Sequence, residues 1–458
     1  MARSARSSWP DYRAVWRWHF YAGLFCIPFV VVLAASGAIY LFKAEIEARE
    51  EAPYDSLPPG AAMPPSAQVA AALAAVPGSR FEGYELPAAP GRAARVLLGD
   101  AGSTRRTYVD PATATVLGSV RDRDRPMRIL FRLHGELLMG DRGSNLVELA
   151  ASWTIVMVIT GLVLWWPRRQ RGLAGVLWPR WRGPRRLLAR DLHAVTAAWL
   201  SVFTLLLLMS GLPWAKSWGD WLKTARAWTG TAGLRQEWSN SKGPAGGGEA
   251  PAPEGDHGGH GDHGRSRRGR GADPTAVDPA ALDRVAALVA PLGLDPPVVL
   301  APARGGAAAW SAKSLTANRP RRVSLVVDAD RQEVLSREDF ASKHPVDRAV
   351  AVGIAFHEGR LFGLPNQILG LVTALGLILV CASAVWLWLR RRDPGTLGAP
   401  EPGLPPRRRV ALVAAVAALS IALPLFGLSV VAVALAERLV LRRIPPVAAW
   451  LGLAPPAG

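Results

Sequence analysis

Five stretches of this chain are apolar over about 20 residues, the length a helix needs to cross the hydrocarbon core of a bilayer. They cover residues 20–42, 146–166, 195–214, 368–389 and 410–436, and their interiors read as free of charge. A buried helix of a soluble protein is usually shorter and keeps a polar face, so the pattern predicts five membrane spans. Between the spans the periodicity changes. Residues 67–76 and 279–290 have the spacing of short helices with one apolar face. Stretches at 95–98, 106–109 and 115–120, and again at 308–312, 323–327 and 333–335, predict strands, with Asp110-Pro-Ala-Thr and Asp328-Ala-Asp-Arg as turns. Segments 127–139 and 350–362 put apolar and charged residues on opposite helical faces, which suits helices lying along a membrane surface.

The chain also repeats itself. Trp18-His19-Phe20 aligns with Leu192-His193-Ala194, and 18 residues beyond each histidine comes the glycine of a Ser-Gly pair, Gly37 or Gly211. Tyr40 and Lys43 follow the first glycine, Trp214 and Lys216 the second. His134 and His357 are each followed six residues later by a glycine, Gly140 or Gly363, then by Asn145 or Asn366 and a span. Each half reads as histidine, span, outer segment, histidine, span, basic loop. Both halves start on the same side, so they are parallel repeats, expected to pack about an axis along the membrane normal. The fifth run has no counterpart and is expected on the outside of the other four.

The net charge of +18 would point to nucleic acid in a soluble protein. Here the arginines alternate with the spans, which argues against a nucleic-acid partner and sets an orientation instead. Arg3, Arg6, Arg13 and Arg17 precede the first span. Arg168, Arg169, Arg171, Arg180, Arg182, Arg185, Arg186 and Arg190 fill the loop before the third, and Arg390, Arg391, Arg392, Arg407, Arg408 and Arg409 the loop before the fifth. Short loops this rich in arginine stay cytoplasmic. The N-terminus is therefore expected inside, residues 43–145 and 215–366 outside, and the C-terminus outside, a direction that Arg442 and Arg443 fit poorly. The first run exceeds the roughly 7–15 apolar residues of a signal-peptide core and is expected to be an uncleaved anchor. Cys26 and Cys381 both fall within spans, leaving the outer segments without a disulfide framework or a thiol metal site. Residues 239–276 are dense in Gly, Pro, His and Arg with almost nothing apolar to bury, and read as a linker.

Four of the eight histidines sit at span ends or on segments leading into spans. The repeat pairs His19 with His193 at the inner level and His134 with His357 at the outer. Imidazole is a good axial ligand for haem iron, low-spin electron-transfer haems take one ligand on each face, and facing helices of a bundle present them. Two pairs at two depths predict two haems b and an electron path that needs no protein movement. Two readings compete: interfacial histidines that merely tolerate the headgroup region, and a proton relay or metal-transport site. Against the second, no carboxylate is expected to accompany the histidines inside the spans. His257, His260 and His263, beside Asp256 and Asp262, would bind a divalent metal such as Zn²⁺, Cu²⁺ or Ni²⁺ loosely, since ordering such a tract costs entropy; a merely polar tract is the alternative. Tryptophans at span ends read as interface anchors. Gly161, Gly211, Gly370 and Gly376 allow close helix contact or room for a flat ring, with close contact the favoured reason.

With these residues in place, the chain resembles the PepSY-associated transmembrane family of bacterial inner-membrane proteins over nearly its whole length. The carriers are Trp16-Arg-Trp-His19 with the span to Gly37, Tyr108-Val-Asp-Pro-Ala-Thr-Ala-Thr-Val-Leu-Gly118, Leu133-His134-Gly-Glu-Leu, Asp191-Leu-His193 and Phe356-His357-Glu-Gly-Arg-Leu-Phe-Gly363. Members are known as iron-regulated membrane proteins, some of them dihaem reductases that release iron from ferric siderophores in the periplasm. The resemblance implies an integral membrane α-helical bundle of about five spans in two parallel repeats, with two small periplasmic α+β PepSY-like domains at 43–125 and 277–345. Interfacial helices at 126–145 and 346–366 follow them. It also implies that His19, His134, His193 and His357 match the haem ligands. Ala114 stands where the family's turn usually has glycine, and the second PepSY-like unit matches weakly. Some relatives carry a flavin or nicotinamide reductase domain; none is read here, so a cytoplasmic or quinol donor would supply electrons.

The expected function is that of an inner-membrane dihaem b protein that moves electrons across the bilayer to a periplasmic ferric siderophore or other metal substrate. Its rivals are a non-catalytic PepSY membrane protein that binds metal or regulates a protease, and a metal permease.

Overall fold

The computed structural model describes residues 12–58, 60–100, 102–167, 172–231, 278–303, 309–401 and 409–453; His257, His260 and His263 lie outside these residues. In chain order the helices are α1 (Tyr12–Tyr40), α2 (Lys43–Glu51), α3 (Pro65–Ala75), α4 (Pro126–Glu136), α5 (Asp141–Trp165), α6 (Arg185–Gly211), α7 (Lys216–Trp228), α8 (Pro279–Val289), α9 (Pro345–His357), α10 (Leu364–Arg391), α11 (Arg409–Ala422), α12 (Pro424–Leu439) and α13 (Pro445–Leu451). The strands are β1 (Arg80–Glu85), β2 (Ala94–Asp100), β3 (Ser103–Val109), β4 (Val116–Arg121), β5 (Val298–Pro302), β6 (Ala309–Ser314), β7 (Ser324–Asp328) and β8 (Glu333–Glu338). Two compact units result: a helical unit with α1, the end of α4, α5 to α7 and α10 to α13, and a sheet unit holding all eight strands with α2, α3, α8 and α9.

Among the described residues five helices are long and apolar enough to cross a membrane: Tyr12–Tyr40, Asp141–Trp165, Arg185–Trp214, Leu364–Arg391 and Pro424–Arg443. A helix satisfies its own backbone hydrogen bonds, which is what lipid demands of a spanning segment. The first four close into a ring in which α1 packs on α5 and α10, and α6 packs on the same two. Helices α1 and α6, the first of each repeat, therefore stand diagonally opposed. Small residues let the backbones approach: the Gly376 position on α10 is covered by Leu200 and Thr196 of α6, and Gly370 by Leu41.

The fifth apolar run is not one span. It breaks at Leu423 into α11 and α12, because Pro424 has no N–H for the preceding turn and its ring disfavours helical geometry before it. The two pieces fold back so closely that a Cβ on Gly427 would meet Ser420. Leu423 and Phe426 at the tip pack with Ile155 and Leu212, and the Trp218 indole donates to the Ala422 carbonyl at 2.9 Å. At the other end α13 returns to the start of the chain: Arg17 donates to the carbonyls of Pro400 and Gly452 at 2.6 and 2.8 Å, and the Tyr21 hydroxyl to that of Leu451 at 2.5 Å. The C-terminal segment thus lies at the arginine-rich end of the bundle, beside Arg17, and not at the opposite end as expected. Arg442 and Arg443 lead into that segment, which removes their misfit.

The spans are also not free of charge. Glu148 lies in α5, 2% exposed, and accepts the backbone N–H groups of Ser217 and Trp218, both at 3.0 Å. Those are orphan donors of the first turn of α7, so the carboxylate caps that helix from outside it.

In the sheet unit the two α+β pieces expected as separate domains share one antiparallel sheet of order β4-β3-β2-β1-β5-β6-β7-β8. The seam is the β1–β5 pair, in which Tyr84 lies opposite Leu300. These are equivalent residues of the two halves, since Tyr84 pairs with Val96 on its other side and Leu300 with Ala312 on its own. Helices α3 and α8 cover one core that includes Tyr84, Leu98, Leu282, Leu300, Trp310 and Leu325, all fully buried or nearly so. Asp283 of α8 accepts from the backbone N–H and hydroxyl of Ser66 at 2.8 and 2.6 Å, capping the first turn of α3 across the halves.

A group of charges ties α2 to the sheet. Glu51 accepts from Arg95 at 2.7 Å, Arg125 at 3.2 Å and the Tyr108 hydroxyl at 2.8 Å. Arg95 reaches Asp55 and Glu85 as well, Arg125 reaches Glu47, and Tyr54 stacks on Tyr108.

The turns between the last two strands of each half also correspond. Ala114 and Gln332 both adopt φ near +54°, values of 54° and 53° in the left-handed region that costs an L-residue energy and suits glycine. Ala114→Gly should therefore stabilise the sheet unit by about 1 kcal/mol. The readout is the denaturant midpoint at which the full-length protein in detergent loses protease resistance in this unit. An unchanged or lower midpoint would contradict the strain.

Candidate functional site

Helices α1 and α6 present matching faces to the middle of the bundle. On α1 the face runs Tyr12, Trp16, His19, Gly23, Ile27 and Val30; on α6 it runs Arg186, Arg190, His193, Ala197, Ser201 and Thr204. The steps of three and four residues keep each set on one side of its helix. His19 and His193 occupy the same position in the two sets, and their ring centres are 6.3 Å apart with planes at 82°.

Each ring is held through Nδ1 in the same way. His193 Nδ1 lies 3.1 Å from the Val380 carbonyl, an acceptor only, so this nitrogen carries the proton. His19 Nδ1 lies 3.0 Å from the Thr160 hydroxyl and also faces the Met157 carbonyl. That hydroxyl gives its own proton to the carbonyls of Val156 and Met157, so it accepts from His19. The arrangement obeys the repeat: Met157 and Val380 stand 23 residues beyond His134 and His357, and Thr160 and Ser383, whose hydroxyls bond those carbonyls, stand 26 beyond. Both histidines are thereby set as the tautomer with its lone pair on Nε2, the state of a metal-binding imidazole whose other nitrogen is fixed by a neighbour.

A cavity of about 690 Å³ surrounds the two rings. Its walls are mainly apolar, including Phe20, Leu24, Leu162 and Leu377, and small side chains clear its centre: Gly23 matches Ala197, and Gly161 matches Ala384 in the repeat. A Cβ at Gly161 would come within 3.2 Å of His19 Cε1, so this glycine seats the imidazole, not a neighbouring helix. Cys26 and Cys381 line the same space as free thiols.

Among the described residues no cluster of three or more His, Cys, Asp or Glu could hold a bare metal ion. Two imidazoles alone suit an ion whose remaining positions are filled by a flat macrocycle. A metal about 2 Å from one nitrogen of each ring puts the ring centres roughly 6 Å apart, which the observed spacing fits.

His134, at the end of α4, sits in the helical unit with its Nδ1 at 3.0 Å from the Ser36 hydroxyl, and a Cβ on Gly37 would touch its ring at 3.1 Å. Ser36 passes its proton to the Val32 carbonyl, so His134 too has its proton on Nδ1. His357 is the last residue of α9, in the sheet unit.

The sequence shows Asp191 only as part of the Asp191-Leu-His193 motif, with no role attached; it is fully buried two residues before His193. It takes the backbone N–H and guanidinium of Arg180 at 3.1, 2.7 and 2.7 Å, which pins the loop before α6. Like Glu148, it is a carboxylate within a spanning helix. Each is engaged with backbone or arginine partners, which is a structural task and not that of a relay.

A ring of four apolar helices with a histidine-lined cavity at its centre defines a multi-pass membrane protein with an internal chamber. The chain belongs to the PepSY-associated TM region family, whose model matches residues 16–391. No curated protein matches it closely enough to serve as a named relative.

Proposed function

We propose that the protein is a dihaem b electron carrier of a bacterial inner membrane that serves to reduce a periplasmic ferric siderophore or another metal substrate. The observation that carries this reading is the His19–His193 pair: two imidazoles of one tautomer, 6.3 Å apart, in an apolar cavity with its centre cleared by small residues. Haem b held there would supply one-electron transfer.

The chain's own residues do the rest. His19 and His193 offer Nε2 lone pairs, while Thr160 and the Val380 carbonyl fix the rings and raise their basicity through Nδ1. The apolar walls keep water from the metal. The repeat gives His134 and His357 the same ligand role, so the protein carries two haems. The arginine-rich end of the bundle faces the cytoplasm in this reading, by the positive-inside rule, and a cytoplasmic or quinol donor supplies the electrons. Reduction loosens iron in a chelate because hard oxygen ligands suit Fe(III) better than Fe(II).

The test is a dithionite-reduced minus oxidised absorbance spectrum of the purified protein with haem quantified per chain. Sharp b-type bands at about two haems per chain are expected. Protein from haem-replete cells that carries none would overturn the reading in favour of a non-catalytic or transport role.

A further inference from the structure

The cavity around His19 and His193 is not uniform along its length. Toward mid-bundle its walls are Ile27, Val30, Leu377 and similar residues; toward the arginine-rich end they are Tyr12, Trp16, Arg186, Arg190, Trp388 and Arg391. Here the two repeats part company. Where α1 carries Tyr12 and Trp16, the equivalent positions of α6 carry Arg186 and Arg190. On α6 these arginines stand one and two turns from His193 on its own face, about 4.5 and 10 Å along the axis.

Arg391 reaches the same end from α10 and is already oriented. Its guanidinium lies 4.7 Å over the Trp16 ring and 4.9 Å over that of Phe20, and its Nη2 donates to the Gly398 carbonyl at 2.7 Å. Among the described residues no carboxylate pairs with Arg186 or Arg391, and Arg190 has only a 3.5 Å contact with Asp191, which Arg180 already holds in three hydrogen bonds. Three guanidiniums thus converge on one end of an otherwise apolar chamber with little anionic charge to answer them. Arginine is the side chain best shaped to bind carboxylate through paired N–H groups.

We propose that Arg186, Arg190 and Arg391 are the seat of the cofactor's carboxylates, and so fix how the ring lies in the chamber: carboxylate edge toward the arginine-rich end, apolar edge toward mid-bundle. This rests on the haem reading above. The asymmetry between the repeats follows from it, since a ring with one acidic edge needs cations on only one side.

Full-length apoprotein, made under haem starvation with His134→Ala so that only the His19–His193 chamber is read, is titrated in detergent with haem b and with its dimethyl ester. Haem b should bind roughly 10- to 100-fold more tightly than the ester, as expected for losing charge-assisted hydrogen bonds. In Arg186→Gln with Arg391→Gln the preference should disappear, and the midpoint potential of the bound haem should fall, because positive charge beside the iron favours the reduced state. The single Arg186→Gln, at an exposed position, should give a smaller change of the same sign and keeps the test valid if the double variant does not fold. Equal binding of acid and ester by the parent chamber overturns the inference and leaves the haem reading intact; it would leave the arginines to another anion such as a lipid headgroup. A parent that binds neither form overturns the haem reading, and this inference with it.

Discussion

Replacing His193 by alanine should lower haem content from about two per chain to about one, and abolish the signal of one haem while sparing the other. The effect is large because nothing nearby can substitute. The position is on a helix whose next residues on that face are Arg190 and Ala197, and neither Cys26 nor Cys381 is an adequate replacement: each would have to give up a proton in an apolar chamber to become a thiolate ligand. The bundle itself should survive, since the imidazole contributes a single hydrogen bond, to the Val380 carbonyl, and its removal enlarges a space that already exists. Pyridine haemochrome quantification on the purified variant, beside a spectral titration, reads both parts of the expectation. Unchanged haem content with both signals intact would mean that the pairing of His19 with His193 is a packing accident.

The second large effect is expected at Glu51. Truncating it to alanine leaves Arg95 and Arg125, with side chains only 6% and 8% exposed, short of the carboxylate they share. Breaking a buried ion group by removing one partner typically costs about 3–5 kcal/mol, more than the group contributes as a whole, because the surviving charges stay buried. Arg95 keeps Asp55 and Glu85 and Arg125 keeps Glu47, so the lower end of that range applies. The same group predicts an acid response. Burial alone would raise the Glu51 pKa, but the charges of Arg106, Arg95 and Arg125 and the Tyr108 hydroxyl outweigh it and hold the carboxyl below its ordinary value. A depressed folded-state pKa gives stabilisation that is complete above the unfolded value, near 4.3 for a glutamate, and is lost as the pH falls through the folded value. The parent should thus lose resistance to denaturant in the sheet unit as the pH drops below about 4, and Glu51→Gln should lose less over that interval. Equal acid slopes for the two would remove Glu51 from the account.

What could be seen in the sequence was whatever a side chain announces at a fixed spacing. His19 and His193 could be paired because each opens a span and stands the same distance before a Ser-Gly pair. What holds them could not: the Val380 and Met157 acceptors are backbone carbonyls, which leave no mark in the sequence. The strands β1 and β5 are hidden in the sequence for opposite reasons. Arg80-Phe-Glu-Gly-Tyr-Glu carries charges and a glycine that do not look like a central strand, yet Glu85 is buried against arginines of its neighbours. Val298-Val-Leu-Ala-Pro follows two prolines and looks like the end of a linker. These two strands form the seam, so without them the pattern shows two domains where there is one sheet. The fifth span starts later than the apolar run suggests, because averaging hydropathy over a window passes across Pro424, where one missing N–H decides the path of the chain.

The pairing of Tyr84 with Leu300 places a local twofold axis between equivalent positions of the two halves. That is the signature of an isologous dimer interface, in which one surface meets its own copy, here sealed inside a single polypeptide. A half-length chain with such a strand would find its partner by joining to itself, and every mutation would strike both sides of the axis at once. Within one chain that constraint is absent. Tyrosine can then face leucine across the seam, Thr160 can stand where the other half has Ser383, and two arginines can replace a tyrosine and a tryptophan on one wall of the chamber only. The chain keeps the economy of a symmetric assembly while giving the two facing walls of its chamber different chemistry.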